Sequence, residues 1–279
     1  MLAYMGLYAQ QHRGQEGAGV VSSDGVQLYR HMGQGLVSDV FANSDVFDGL
    51  IGNSAIGHVR YSTTGNSDNK NVGPLTFNMG DHFLSIAHNG NLVNIEDIRE
   101  ELQKEGALFQ TSTDTEIIIH LIAREKGNNL PERVEKALQK IEGAYSLLLL
   151  SPNEIIAARD PHGIRPFCMG KLQDTIVFAS ETCALDLLGA EYLRDVQPGE
   201  MIVANDDGFY SKSIISPQQS KHCIFEYIYF SRPDSKIFGK SVDKMRRAFG
   251  RKLAQESPAD SGDIVISVPD SSNTCALGF

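Results

Sequence analysis

The hydrophobic period changes twice along this chain, and the order of those changes restricts its fold more than any one motif. A first helix is expected over residues 2–11, closed by Gly14. Short β-rich runs follow around Gly19-Val20-Val21, over 26–30, over 54–61 and over 82–88. Asp24-Gly25 reads as a hairpin turn, and Asn89-Gly90 as the turn that ends the fourth run. From 95 to 141 the period becomes helical. Ile95, Ile98 and Leu102 form one stripe between an Asn94 N-cap and Gly106. Thr113-Asp114-Thr115-Glu116 has the pattern of a capping box before Ile117, Ile118, Leu121 and Ile122, and a third helix starts near Pro131. Strand-like runs then return at 145–150, 154–159, 175–179, 201–204 and 212–215. Strands, then helices, then strands again predict an α+β architecture of antiparallel sheets with helices outside them.

The pattern shifts once more after a polar stretch, SPQQSKH, at 216–222. A strand over 224–230, an amphipathic helix over 241–256 and an apolar strand over 263–268 leading into Pro269-Asp270-Ser271-Ser272 read as the beginning of a parallel α/β domain. The expected division is therefore 1–215, a linker at 216–222, and 223–279.

Bulk properties exclude some partners. The net charge of -10 disfavours nucleic acid and anionic membrane. Lys244, Arg246, Arg247, Arg251 and Lys252 share one expected helix and read as a solvated face. No apolar run approaches the ~20 residues of a membrane span, and no secretory leader pattern is visible, so a soluble cytoplasmic protein is expected. The four cysteines, Cys168, Cys183, Cys223 and Cys275, form no CxxC pair and suit neither a disulfide framework nor a self-contained zinc site.

Three places carry chemistry. Arg60 follows a strand, where a guanidinium can grip a carboxylate through two parallel hydrogen bonds, or can simply pair at the surface. Asn89-Gly90 offers a side-chain amide and a backbone N–H suited to an oxyanion hole, or an ordinary turn. Asp114, at the start of a helix, could receive an ammonium or only complement the helix dipole. Together they match the needs of an α-amino acid attacked at its side-chain amide.

QHRGQEGAG (11–19), GHVRYSTTG (57–65), HNGN (88–91), STDTE (112–116), DPHGIRP (160–166) and ASET (179–182) resemble the class II glutamine amidotransferase domain. EYIYFSRPDS (226–235) and VPDSS (268–272) narrow the resemblance to the amidophosphoribosyltransferase family. EYIYFSRPDS speaks against glucosamine-phosphate synthase or asparagine synthetase. The resemblance implies an N-terminal-nucleophile hydrolase α/β/β/α sandwich followed by the start of a phosphoribosyltransferase domain. It implies that Arg60 and Asp114 hold the α-carboxylate and α-ammonium of glutamine, and that Asn89 and Gly90 form the oxyanion hole. Ammonia would then displace pyrophosphate from phosphoribosyl pyrophosphate, with Mg2+, giving phosphoribosylamine, the first step of purine synthesis, in a homo-oligomer.

Two departures shape the expectation for this stretch: the missing nucleophile, and an end at Phe279 before the acidic strand-loop with which the family grips the phosphoribosyl group. The family's nucleophile is an N-terminal cysteine whose own α-amine serves as base. It would lie upstream of Met1, so the chain as given is expected to be an inactive piece of a longer enzyme. Some relatives hold a [4Fe-4S] cluster, and Cys223 is similar in position to one ligand. A single thiolate cannot hold such a cluster, so no cofactor is expected for the chain alone. The alternative is a stand-alone, nucleophile-less protein that binds glutamine as a regulator.

Overall fold

The structure, a computed structural model, describes residues 1–61, 69–80, 83–259 and 262–279. Ser62 to Gly65 of GHVRYSTTG, and His82, lie outside the described residues. Helix α1 (Leu2–Ala9) and a 3-10 turn (Gln11–Arg13) precede the hairpin β1 (Gly17–Ser23) and β2 (Leu28–Gln34). A short α2 (Val37–Val40) leads to β3 (Ser54–Arg60), β4 (Leu75–Asn78) and β5 (Phe83–Leu92). Three helices follow, α3 (Ile95–Lys104), α4 (Thr115–Arg124) and α5 (Leu130–Leu138). The chain returns to strands in β6 (Gly143–Leu150), β7 (Ile155–Arg159), β8 (Cys168–Leu172) and β9 (Thr175–Ala179). Helix α6 (Thr182–Leu188) and strands β10 (Glu191–Asp195), β11 (Glu200–Asn205) and β12 (Gly208–Ser213) complete this part.

A six-stranded sheet has the order β12-β11-β7-β6-β5-β4, and two three-stranded sheets have the orders β2-β1-β3 and β10-β8-β9. Every pairing is antiparallel. Side-chain alternation sorts the layers. Leu84, Ile86, Leu147 and Leu149 face Ile117, Ile118, Ile122, Val134 and Leu138 of α4 and α5. On the opposite face, Ala87 and Leu150 meet Val21 and Ile56 of the first small sheet, while Ala157 and Ile202 meet Phe167 and Met169 beside the second. Leu7 of α1 packs on Ala18 and Val20, and Ala9 with α6 on Cys168 and Ala179. The result is helices, large sheet, paired small sheets, helices: the α/β/β/α sandwich that the family resemblance implies.

Strands β3 and β9 each have one hydrogen-bonded neighbour, β1 and β8 respectively. They wall a groove of about 640 Å³ with residues from Ser54 to His58 and from Thr175 to Ser180. Its floor includes Ala87 to Asn89, Ser146 and Leu148 of the large sheet, and its roof is α1 with Ala184 and Leu188 of α6.

Several expectations are corrected. Asn89-Gly90 is no turn. β5 runs on to Leu92, with Asn89 opposite Ser146 and Gly90 opposite Tyr145. Gly90 is required by close approach, since a Cβ there would lie 2.0 Å from the Ala144 carbonyl oxygen and 2.8 Å from His88 Nε2. Asn94 stands at the N-cap of α3 but does not cap it. Its Nδ2 donates to Lys140 O at 3.0 Å and its Oδ1 accepts from Glu142 N at 2.9 Å. Thr113–Glu116 forms no capping box; Glu116 reaches back to the amides of Gln110 and Thr111 at 2.8 and 2.7 Å. The last strand of the large sheet is Gly208–Ser213 in place of 212–215. β8, β10 and α6 carried too weak a periodicity to be anticipated.

The polar stretch at 216–222 is irregular but docked. Gln218 N, Lys221 N and Cys223 N donate to the carbonyls of Pro161, His162 and Ile164 at 2.8, 3.1 and 3.0 Å. Beyond it, the segment 224–230 is not the expected strand. Glu226–Phe230 is a π-helical turn, the wide form in which the ordinary i→i−4 ladder is broken. Arg246, expected on a solvated face, is instead fully buried because it satisfies carbonyls there, donating from Nε to Tyr227 O and from Nη2 to Ser231 O, both at 2.7 Å. A two-residue pair, β13 (Lys236–Ile237) with β14 (Lys240–Ser241), precedes α7 (Val242–Glu256), which matches expectation, and α8 (Asn273–Gly278). Residues 264–268 form no strand. A strand needs a neighbour for its backbone groups; no described strand lies beside them, and Ile264, Ile266 and Val268 are 80%, 87% and 80% exposed.

Candidate amide-binding site

Four of the residues singled out from sequence line one cavity of about 220 Å³: Arg60, Asn89, Gly90 and Asp114. They arrive from the end of β3, the middle of β5 and the start of α4. The cavity opens between the large sheet and the first small sheet and shares His58, Ala87, His88, Asn89, Gln10 and Ser180 with the groove described above.

Arg60 is 6% exposed, which removes the surface-pair reading. Its Nη1 donates to Asn71 O at 2.8 Å, and its Nε lies 4.0 Å from a Glu16 carboxylate oxygen. Gly14 packs directly against it: a Cβ on Gly14 would stand 2.5 Å from both the carbonyl carbon and oxygen of Arg60. Asn71 also bonds Ser112 in both directions, donating from Nδ2 to Oγ at 3.1 Å and accepting the Ser112 N–H at 3.3 Å. It thus ties the arginine to the loop that delivers Asp114. Nothing in the sequence marked Asn71, an unremarkable loop residue between two motifs.

Asp114 is equally buried. Its Oδ2 accepts the Leu92 N–H at 3.1 Å and its Oδ1 lies 3.3 Å from His88 Nδ1. Burial pushes its carboxyl up, but His88 and the Leu92 amide outweigh that, so it sits below the usual carboxylate range. It remains an anion with acceptor capacity to spare. Asn89 is half-buried and donates from Nδ2 to Ser180 Oγ at 3.3 Å. A guanidinium and a carboxylate on one side, with amide donors on the other, suit a zwitterionic amino acid whose side chain ends in a carbonyl.

The remaining wall comes from Phe225, Phe230 and Arg165 together with Arg13. Behind it lies a buried ionic cluster that no periodicity disclosed. Arg13 donates to Glu181 Oε1 at 2.5 Å and to both oxygens of Glu226 at 3.0 and 2.8 Å. Glu181 also bonds His12, the Arg232 N–H and Ser235 Oγ, while Glu226 bonds Ser231 and Arg165. The Phe230 ring lies 4.5 Å from the Arg13 guanidinium. Burial raises the Glu181 carboxyl, but Arg13 and His12 overcome this and bring it down to about 2; Glu226 is held low in the same way.

None of the chain's four cysteines lines the cavity. Cys168 and Cys183 are buried, and burial raises both thiols, Cys183 to about 12. Cys223 is not in a strand; its Sγ accepts from Arg165 Nη1 at 3.7 Å. Among the described residues no three His, Cys, Asp or Glu side chains gather as a metal site. No described helix is long and apolar enough to cross a membrane.

Residues 58–187 match the family model of the glutamine amidotransferase domain. The whole chain is 46% identical to the amidophosphoribosyltransferase of Bacillus subtilis, covering 58% of that protein. It is 49% identical to amidophosphoribosyltransferase 2, chloroplastic, of Arabidopsis thaliana, covering 50% of it. Among solved structures, 99% of the chain superposes on the allosteric regulatory enzyme of purine biosynthesis, with a TM-score of 0.95, 46% identity and 59% of that chain covered. The glutamine phosphoribosylpyrophosphate amidotransferase of B. subtilis complexed with ADP and GMP gives a TM-score of 0.94 at 46% identity, with 60% of its chain covered. The chain therefore spans between 50% and 58% of the length of these two curated relatives.

Proposed function

The chain belongs to the amidophosphoribosyltransferase family, and from that premise we propose that its cavity binds glutamine for hydrolysis of the side-chain amide. The observation that carries this is the convergence of Arg60, Asp114, Asn89 and Gly90 on one cavity of about 220 Å³. Arg60 takes the α-carboxylate, Asp114 the α-ammonium, and Asn89 Nδ2 with the Gly90 N–H faces the oxygen that becomes negative when the amide is attacked. In the family the nucleophile is an N-terminal cysteine, which here would approach along the groove between β3 and β9. The groove there meets the cavity at Asn89 and Ser180, and none of the chain's own thiols reaches the site.

The protein of which this chain covers the amidotransferase part then passes ammonia to phosphoribosyl pyrophosphate, forming phosphoribosylamine and pyrophosphate. No step above passes through magnesium or an iron-sulfur cluster. Titration calorimetry of the chain with L-glutamine tests the site. Binding is expected, with asparagine and glutamate much weaker and with the chain alone releasing no ammonia. No heat of binding, or equal affinity for all three, would refute the assignment. In the protein at its relatives' full length, glutamine-dependent pyrophosphate release tests the wider reaction.

A further inference from the structure

We infer that Ser180 is a positioning residue for Asn89, holding the Asn89 side chain in place at the cavity wall; this rests on the glutamine-site reading above. A serine hydroxyl donates or accepts equally well, so Ser180 fixes where the Asn89 carboxamide lies. Only the NH2 end can stabilise a developing oxyanion, whereas the oxygen end would repel it. Asn89 Nδ2 donates one hydrogen to Ser180 Oγ at 3.3 Å. Its second hydrogen is left for the cavity, which both residues line.

Ser180 is itself held. It follows the last residue of β9, and its N–H donates to Gln10 Oε1 at 3.1 Å. Gln10 Nε2 donates to Gly6 O at 3.3 Å. With both ends engaged, the Gln10 carboxamide has one orientation, so helix α1 sets the backbone from which the serine hydroxyl is presented. Gln10, Ser180 and Asn89 all line both the cavity and the adjoining groove. The relay therefore spans the junction of the two, joining α1, the end of β9 and β5. Ser180 acts through Asn89 rather than on the reacting atoms.

The test uses the full-length enzyme and compares Ser180→Ala, Ser180→Thr and Asn89→Ala. Ser180→Ala should lower kcat for glutamine hydrolysis at least ~10-fold, part of the 10²–10³ typical for losing an oxyanion donor outright. KM for glutamine should stay within about twofold and ammonia-dependent synthesis should be unaffected, because Arg60 and Asp114 bind the substrate independently. Ser180→Thr, which keeps the hydroxyl, should restore most of the loss. Adding Ser180→Ala to Asn89→Ala should cost nothing further. If Asn89→Ala lowers kcat and Ser180→Ala does not, the positioning role is wrong. If Ala and Thr are equally impaired, or kcat and KM move together, the serine is merely structural and the inference fails. If Asn89→Ala itself leaves kcat unchanged, the glutamine-site reading fails first.

Discussion

At the scale of single residues, the site divides into groups that bind and groups that act on charge. On the proposed reading Arg60 and Asp114 touch parts of glutamine that do not react, so their loss should fall on binding. Arg60→Ala and Asp114→Asn should each weaken calorimetric glutamine affinity at least ~10-fold, the scale of one charge-assisted contact. In the full-length enzyme the same variants should raise KM while ammonia-dependent synthesis survives; equal loss of both activities would make the residues structural. Asn89→Ala should instead lower glutaminase kcat by roughly 10²–10³. That these residues meet at one cavity could be anticipated because their chemistry is carried by type and neighbourhood: a guanidinium after a strand, an acid at a helix start, an amide before glycine. Asn71 and Ser180 could not be, since their importance lies in contacts such as Asn71 to Arg60 and Ser112, or Ser180 to Asn89, made across the fold.

Among the elements, long periodic segments were read well and chemically ambiguous ones were not. Asn89-Gly90 has the composition of a hairpin turn, yet both residues lie inside β5 because pairing with β6 continues through Leu92. Tertiary pairing overrides a local preference there. IFEYIYF looks like a strand by composition, but buried Glu226 and the Arg246 contacts to Tyr227 O and Ser231 O favour a wide π turn. Glycines at close backbone approaches give the sharpest test. A Gly90→Ala Cβ would meet the Ala144 oxygen at 2.0 Å, across the β5–β6 pair. The cost should reach or exceed the ~1–3 kcal/mol usual for overpacking, visible as a lowered Tm. Gly14→Ala would press on Arg60 backbone atoms at 2.5 to 2.8 Å. It should lower both Tm and glutamine affinity, whereas an unchanged affinity would show that β3 can absorb the shift.

Over the whole molecule, the buried ionic cluster is one of the contacts that join the amidotransferase sandwich to the segment after residue 222. Arg13 reaches Glu181 and Glu226, which lie 168 and 213 positions along the chain. Sequence alone displayed these residues inside motifs but gave no reason for the pairing, because charges this distant leave no periodicity. A buried pair contributes little net stability, yet breaking it is costly, ~3–5 kcal/mol, since one charge is left uncompensated. Glu181→Gln should therefore lower Tm at pH 7. The Glu181 carboxyl has an ordinary value of 4.5 and is held at about 2 in the fold. The unfolded chain thus binds more protons than the folded one between those values. Its contribution is complete above about 4.5 and disappears as pH falls towards 2. The gap in Tm between wild type and Glu181→Gln should narrow across that interval. A gap that stays constant from neutral pH to the acid limit would mean that Glu181 stabilises the fold through packing alone, and not through its charge on Arg13.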